Sequence, residues 1–167
     1  MGLSAALQER QWMYINGVIM VSPADYKVIR VGGPVSSAIN LPYYAAAAWY
    51  HKKLSPQLQQ KDLTEMLPEV EDFAINDLIP ALAKGGFIQQ EERSEIASKM
   101  SLYSGLSEKV ILQNNLDIST SFFWKELLRE EGKTIGRLDS RYLGIDRKDA
   151  GMRPDYSAEL TSWLHSF

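Results

Sequence analysis

Residues 41–54 read LPYYAAAAWYHKKL, with a proline near the start, alanines in the middle and basic residues at the end. Proline is favoured in the first turn of a helix, alanine has the highest helix propensity, and positive charges near the last turn interact favourably with the helix dipole. The stretch therefore predicts a helix from Leu41 to Leu54.

Apolar residues at helical spacing continue downstream of this helix. Ser55-Pro56 has the pattern of an N-cap followed by a first helical residue, and it should open a segment that contains Met66. Pro80 lies inside the next predicted helix, Glu69–Lys84, and should kink it because proline has no amide hydrogen for the helix ladder. The other predicted helices are Gln90–Tyr103, Ser107–Asn114, Ser119–Glu131 and a short one at Ala158–His165.

The inward faces of these helices should share one apolar core, because each helix carries an apolar stripe at the right spacing. The residues predicted to form this core are Val70, Phe73, Leu78, Ile96, Met100, Tyr103, Phe123 and Leu127.

Residues 12–22, WMYINGVIMVS, are apolar at almost every position, and Pro23 ends the run. This pattern is typical of a strand that is buried on both faces of a parallel sheet. The chain offers such a strand few partners, since Tyr26–Val31 and Thr134–Leu143 are only short extended segments. An unpaired strand is an aggregation template, so we expect it to be buried by the chain's own helices or in a homo-oligomer.

The composition indicates an ordinary globular domain. The chain has 167 residues, 45% of them hydrophobic, and a net charge of -3. A slightly acidic chain gives no reason to expect a nucleic acid or an anionic membrane as a partner.

The absence of cysteine excludes disulfides, thiolate catalysis and cysteine-ligated metals. Residues 1–10 lack the layout of a signal peptide, no apolar run is long enough to span a bilayer, and the compartment stays open.

Motifs for catalysis, metals and cofactors are not found in this sequence. No serine stands between glycines in the pattern of a nucleophile elbow. His51 and His165 are far apart and belong to no zinc-binding motif. Gly32-Gly33-Pro34 is typical of a turn and lacks the lysine of a phosphate loop. We therefore predict no catalytic residue, no metal and no cofactor.

Aromatic residues of the helix predicted at Leu41–Leu54 are the candidate substrate-binding residues. Tyr43, Tyr44, Trp49 and Tyr50 could line a pocket, although aromatic residues at helical spacing more often belong to a core or an interface. His51 follows them, and a cation at the end of a helix needs no catalytic role.

The stretch 137–155 alternates basic and acidic residues. This pattern favours a salt-bridged or solvated loop over a phosphate-binding patch. The charged residues considered are Arg137, Asp139, Arg141, Asp146, Arg147, Lys148, Asp149, Arg153 and Asp155.

Three stretches become specific when they are read together: 15–22 (INGVIMVS), 44–54 (YAAAAWYHKKL) and 125–142 (KELLREEGKTIGRLDSRY). Together they resemble bacterial members of the serine carboxypeptidase family of α/β hydrolases. The resemblance covers nearly the whole chain. Its strongest parts are AWYHKKL at 48–54 and GRLDSRY at 136–142.

The resemblance implies a Ser-Asp-His hydrolase that releases C-terminal residues from peptides, with a mostly helical insertion over its active site. Residues 1–31 would be a piece of the hydrolase core with its central strand, 32–133 the helical cap insertion, and 134–167 an extended segment that returns toward the core. The implied fold class is a mainly α-helical cap with one buried β-strand and short extended segments, a fragment of an α/β hydrolase.

No position of this chain matches the family's nucleophile, acid or base, so we expect the chain alone to be inactive. A peptide substrate would be a partner of the parent enzyme. The alternative is a self-standing helical module whose exposed aromatic face binds a peptide or another protein.

Overall fold

A computed structural model shows that the chain is mainly helical, as the sequence predicts. The residues that the structure describes are 2–17, 19, 34–155 and 157–159. The chain divides into two compact units, Met1–Arg30 and Val31–Phe167. The boundaries predicted after residues 31 and 133 stay predictions.

The first unit contains helix α1, Gly2–Gln11. The buried strand predicted at 12–22 is wrong for the residues described, because 12–17 and 19 form no strand. Trp12 has a left-handed backbone (φ 54), and its side chain is 78% exposed. An apolar run becomes a strand only where a neighbouring strand pairs with it, and no such partner lies among the described residues. The rest of the run, Tyr26–Val31 and His165 lie outside them.

Helices make up most of the second unit. They are α2 (Pro34–Ile39), α3 (Leu41–Tyr50), α4 (Pro56–Gln59), α5 (Leu63–Phe73), α6 (Ile79–Lys84), α7 (Gln90–Ser104), α8 (Glu108–Gln113) and α9 (Thr120–Glu126). Turns of 3₁₀ helix follow α6 at Gly85–Phe87 and α9 at Arg129–Glu131.

Local chemistry explains where these helices differ from the prediction. Helix α3 ends at Tyr50 because Lys52 adopts a left-handed conformation (φ 58). The helix expected from Pro56 stops at Gln59. A new helix starts where the Asp62 carboxylate accepts the amide hydrogen of Thr64 at 2.8 Å.

The irregularity expected near Pro80 is a π-helical turn. Residues Ala74–Leu78 form this wide turn between α5 and α6, and the Ile79 amide bonds to the Ala74 carbonyl five residues back. Pro80 itself lies in the first turn of α6, where its missing amide hydrogen costs little. A wide turn before the proline thus lets the helical path continue to Lys84.

The predicted core is confirmed. Helix α3 packs against α5 and α7, and α7 packs against α8. Seven of the eight predicted core residues are buried. Tyr103 is only half-buried, with its ring 5.7 Å from that of Phe73. We call residues 34–131 the helical body.

Residues 134–155 and 157–159 form what we call the return segment. Its strands β1 (Thr134–Ile135) and β2 (Leu143–Gly144) pair antiparallel, with Thr134 opposite Gly144. Gly144 is required here because an added Cβ would lie 2.7 Å from the Ala158 Cα. The extended segment predicted at 134–143 is therefore confirmed only at its two ends.

Candidate functional site

The two strongest parts of the resemblance, residues 48–54 and 136–142, meet in space. His51 follows the end of α3, and Ser140 lies in the turn between β1 and β2. The Nε2 atom of His51 is 2.7 Å from the Ser140 carbonyl oxygen, and both residues are partly buried. A carbonyl can only accept, so Nε2 carries the proton of this hydrogen bond. The contact joins positions 89 residues apart.

Tyr43 extends this contact toward α9. The Trp124 indole Nε1 donates to the Tyr43 hydroxyl at 3.0 Å, and the Ser140 side chain also hydrogen-bonds to Tyr43. Burial raises the pKa of Tyr43, although these hydrogen bonds act in the opposite direction. The phenol is therefore neutral and fixed between α9 and the turn.

The turn at 136–142 is built by its own polar groups. The Gly136 amide donates to the Tyr142 carbonyl at 2.9 Å. The Arg141 guanidinium binds both carboxylate oxygens of Asp139, with Nη2 2.7 Å from Oδ2. Hydrogen bonds from Arg141 lower the pKa of Asp139 to about 2. Asp139 and Arg141 are thus both charged at neutral pH.

Glu159 holds the same turn from the other side. Its Oε1 atom accepts the amide hydrogens of Leu138 at 2.8 Å and Asp139 at 3.0 Å. Burial opposes ionisation of Glu159, but these amide donors outweigh it and lower the pKa. Gly136 leaves room for this contact, since a Cβ there would overlap the Asp139 carbonyl and the Glu159 carboxylate.

A second polar contact fixes the loop that follows β2. The Lys125 side chain is only 2% exposed, and its Nζ lies 2.7 Å from the Asp146 carboxylate. The same Nζ donates to the carbonyls of Lys148 and Ala150. Arg129 binds the Asp149 carboxylate at 3.0 Å. The salt-bridged or solvated loop predicted from the charge pattern is thus confirmed, with Asp146 and Asp149 paired and Arg137 and Arg153 exposed.

The predicted aromatic residues do not share one pocket. Tyr44 lies in the core, where its ring stacks on Phe123 at 4.2 Å and its hydroxyl donates to the Ile118 carbonyl. Trp49 is partly buried and donates to the Lys61 carbonyl. Tyr50 is exposed, with its ring edge-on to His51. Contact of any of these residues with a substrate stays a prediction.

Trp124, Ser140 and Glu159 were missed by the sequence analysis. Ser140 stands inside the stretch 125–142 and Trp124 directly precedes it, but nothing in their own neighbourhood indicates a hydrogen bond to distant residues. Glu159 is a single carboxylate among apolar and small residues. The Gly-x-x-Asp pattern at 136–139 indicates a turn. Because backbone amides in a turn often lack a backbone acceptor, this pattern was the available signal that a side chain such as Glu159 accepts their hydrogens.

Within the described residues, no group of three or more histidine and carboxylate side chains is placed to hold a metal ion. The helices in the described ranges include none that is long and apolar enough to cross a bilayer. The chain matches none of the protein-family models, curated proteins or solved structures with which it was compared.

Proposed function

We propose that this chain is the cap region of a serine carboxypeptidase-like hydrolase, an enzyme that releases C-terminal residues from peptides. The observation that carries the proposal is the hydrogen bond between His51 and the Ser140 carbonyl. It brings together the stretches 48–54 and 136–142, which are the most specific parts of the resemblance. These stretches are distant in the sequence but form one surface. A shared role explains this arrangement better than two unrelated structural roles.

The chemistry of this surface suits peptide binding rather than catalysis. Tyr50 and Tyr142 are exposed beside the contact and offer aromatic rings, and the Arg141 guanidinium there is paired with Asp139. His51 already uses Nε2 to bind a carbonyl, so this nitrogen is not available as a general base. The Ser140 side chain hydrogen-bonds to Tyr43, and only its backbone carbonyl binds the His51 ring. The proposal therefore assigns substrate contact, and no bond-breaking step, to this chain.

Reading the coding DNA on either side of residues 1–167 tests the assignment. We expect a continuous frame that encodes a Gly-x-Ser-x-Gly elbow upstream and supplies an aspartate and a histidine downstream. Stop codons directly flanking the chain, or flanking sequence that lacks an elbow, would contradict the proposal.

An activity assay provides the matched biochemical test. The purified chain should hydrolyse a blocked dipeptide at the background rate, because no residue in it is assigned as a nucleophile. The control is Ser140→Ala, which should leave that rate unchanged. Turnover that survives purification and disappears in Ser140→Ala would overturn the assignment of a cap without catalytic groups.

One observation favours the helical binding module as the second candidate. Ile39 and Ile75 are 54% and 62% exposed, and both line a pocket of about 200 Å³ between α2 and the π-helical turn. Exposed apolar residues of this kind are typical of protein contact sites. The two candidates differ in the flanking DNA, since a self-standing module requires no hydrolase elbow in the same frame.

A further inference from the structure

A pocket of about 280 Å³ lies between α9 and the return segment. Its lining includes Trp124, Ile135, Arg137, Arg153, Pro154 and Asp155. This pocket does not include His51, Ser140 or Tyr50 in its lining. Of its lining residues, only Arg137 belongs to the stretches on which the proposed function rests.

Two arginine side chains that line this pocket have no charged partner among the described residues. Among the described residues, neither the Arg137 nor the Arg153 guanidinium makes an ion pair or a hydrogen bond, and both side chains are exposed. The neighbouring arginines differ, since Arg129 and Arg141 each bind a carboxylate. Two unpaired guanidinium groups beside one cavity are suited to bind an anion.

The one carboxylate in the lining is already engaged. Asp155 Oδ2 accepts the Lys148 amide hydrogen at 3.2 Å, and the Asp155 amide donates to Asp146 at 2.9 Å. The two arginines outnumber Asp155, so the lining is net positive. An anion that enters the pocket would meet attraction rather than repulsion.

The remaining walls of the pocket are mostly apolar, and Ser121 and Ser157 are their polar members. Ile135 is buried in β1, and Pro154 is half-buried. The Trp124 ring is held in place by its hydrogen bond to Tyr43. A volume of about 280 Å³ lies just below the usual range for small-molecule sites, and it suits a short side chain rather than a large cofactor.

We propose that this pocket binds the acidic side chain of a peptide. The carboxylate would lie against Arg137 and Arg153, and the methylene groups would pack against Ile135, Pro154 and Trp124. This inference goes beyond the proposed function, because binding here requires neither a catalytic group nor the hydrolase assignment.

Calorimetric titration of the whole chain with two capped peptides tests this site. The peptides are acetyl-Ala-Glu-Ala-amide and acetyl-Ala-Gln-Ala-amide, which differ only in the negative charge. We expect the glutamate peptide to bind about tenfold more tightly, since hydrogen bonds to charged groups are the stronger ones. Arg137→Gln and Arg153→Gln should each remove most of this difference.

The matched control is Lys99→Gln. Lys99 lies on α7, pairs with Asp77 and does not line the pocket, so this variant removes one positive charge elsewhere on the surface. It should bind the glutamate peptide as the wild type does. Circular dichroism of each arginine variant checks that a loss of binding does not come from unfolding.

Three results would overturn the inference. The first is equal affinity for the two peptides, and the second is unchanged binding in both folded arginine variants. The third is displacement of the glutamate peptide by inorganic phosphate at equal concentration, which would indicate a general anion site. All three are measured by binding, so they can be distinguished from a failure of the hydrolase assignment.

Discussion

The helical body and the return segment are stabilised by different interactions. In the body, apolar faces of several helices meet in one core that includes Tyr44, Met66 and Phe123. In the return segment each strand has only two residues, and Leu138 and Ile145 are exposed. Ile135 is buried in the core, but the rest of this segment is fixed mainly by polar side chains, notably Lys125 and Glu159. Burial of apolar side chains should therefore stabilise the body, whereas the stability of the return segment depends on particular charged groups.

The largest effect is expected for Phe123→Ala in the core of the body. Phe123 is fully buried and stacks on Tyr44, so its removal leaves a cavity and should cost about 3 to 5 kcal/mol of unfolding free energy. Denaturant melts give this value. The control is Phe87→Ala, since Phe87 is 89% exposed and its replacement should change stability little. Equal effects of the two variants would show that the core is elsewhere.

A somewhat smaller loss is expected for Lys125→Met, which breaks the polar anchor of the return segment. The Asp146 carboxylate, whose side chain is only 9% exposed, would be left without its cation, and removing one partner of a buried pair costs about 3 kcal/mol. The control is Lys133→Met, because Lys133 is an exposed neighbour with a long 3.5 Å contact to Glu131. Thermal melts in which both variants match the wild type would contradict the anchoring role.

His51→Ala should have a smaller effect. From the sequence, His51 is expected to act only as a cation at a helix end. The structure adds the hydrogen bond to Ser140, whose loss should cost about 1 kcal/mol. His51→Gln is the control, because its amide can donate to the same carbonyl and should restore part of the stability. A glutamine variant no better than alanine would show that the hydrogen bond contributes nothing.

The smallest effect concerns the exposed pair of Asp139 and Arg141. The folded-state pKa of Asp139 is about 2, below its ordinary value of 3.8. A lowered pKa means that the pair stabilises the fold above about pH 4, and that this contribution is lost as the pH falls toward 2. Arg141→Gln should return the Asp139 pKa toward 3.8 in a carboxyl NMR titration. An unchanged pKa would show that the pair does not form in solution.

The helical body was largely predictable from the sequence. Burial of an apolar face follows from residue spacing, so Val70, Phe73 and Phe123 could be placed in the core before the structure was known. Serine caps also have a local signal, and Ser107 and Ser119 cap α8 and α9 where these helices were predicted to begin.

The candidate site was much less predictable, because its contacts join distant residues. Nothing near His51 indicates that it faces the Ser140 carbonyl, and nothing near Glu159 indicates that it accepts hydrogens from residue 138. The apolar run at 12–22 was misread for a related reason. The composition of a stretch gives its preference for the extended conformation, but a strand forms only where a neighbouring strand pairs with it. Residues 12–17 form no strand.

Native-state hydrogen exchange tests most directly whether the two regions are stabilised differently. The account predicts that amides of α7 exchange only through global unfolding. The Gly136 amide, bonded to Tyr142 across the turn, should exchange through a local opening of lower free energy that Lys125→Met lowers further. Equal protection of α7 and Gly136, falling together in Lys125→Met, would contradict the account.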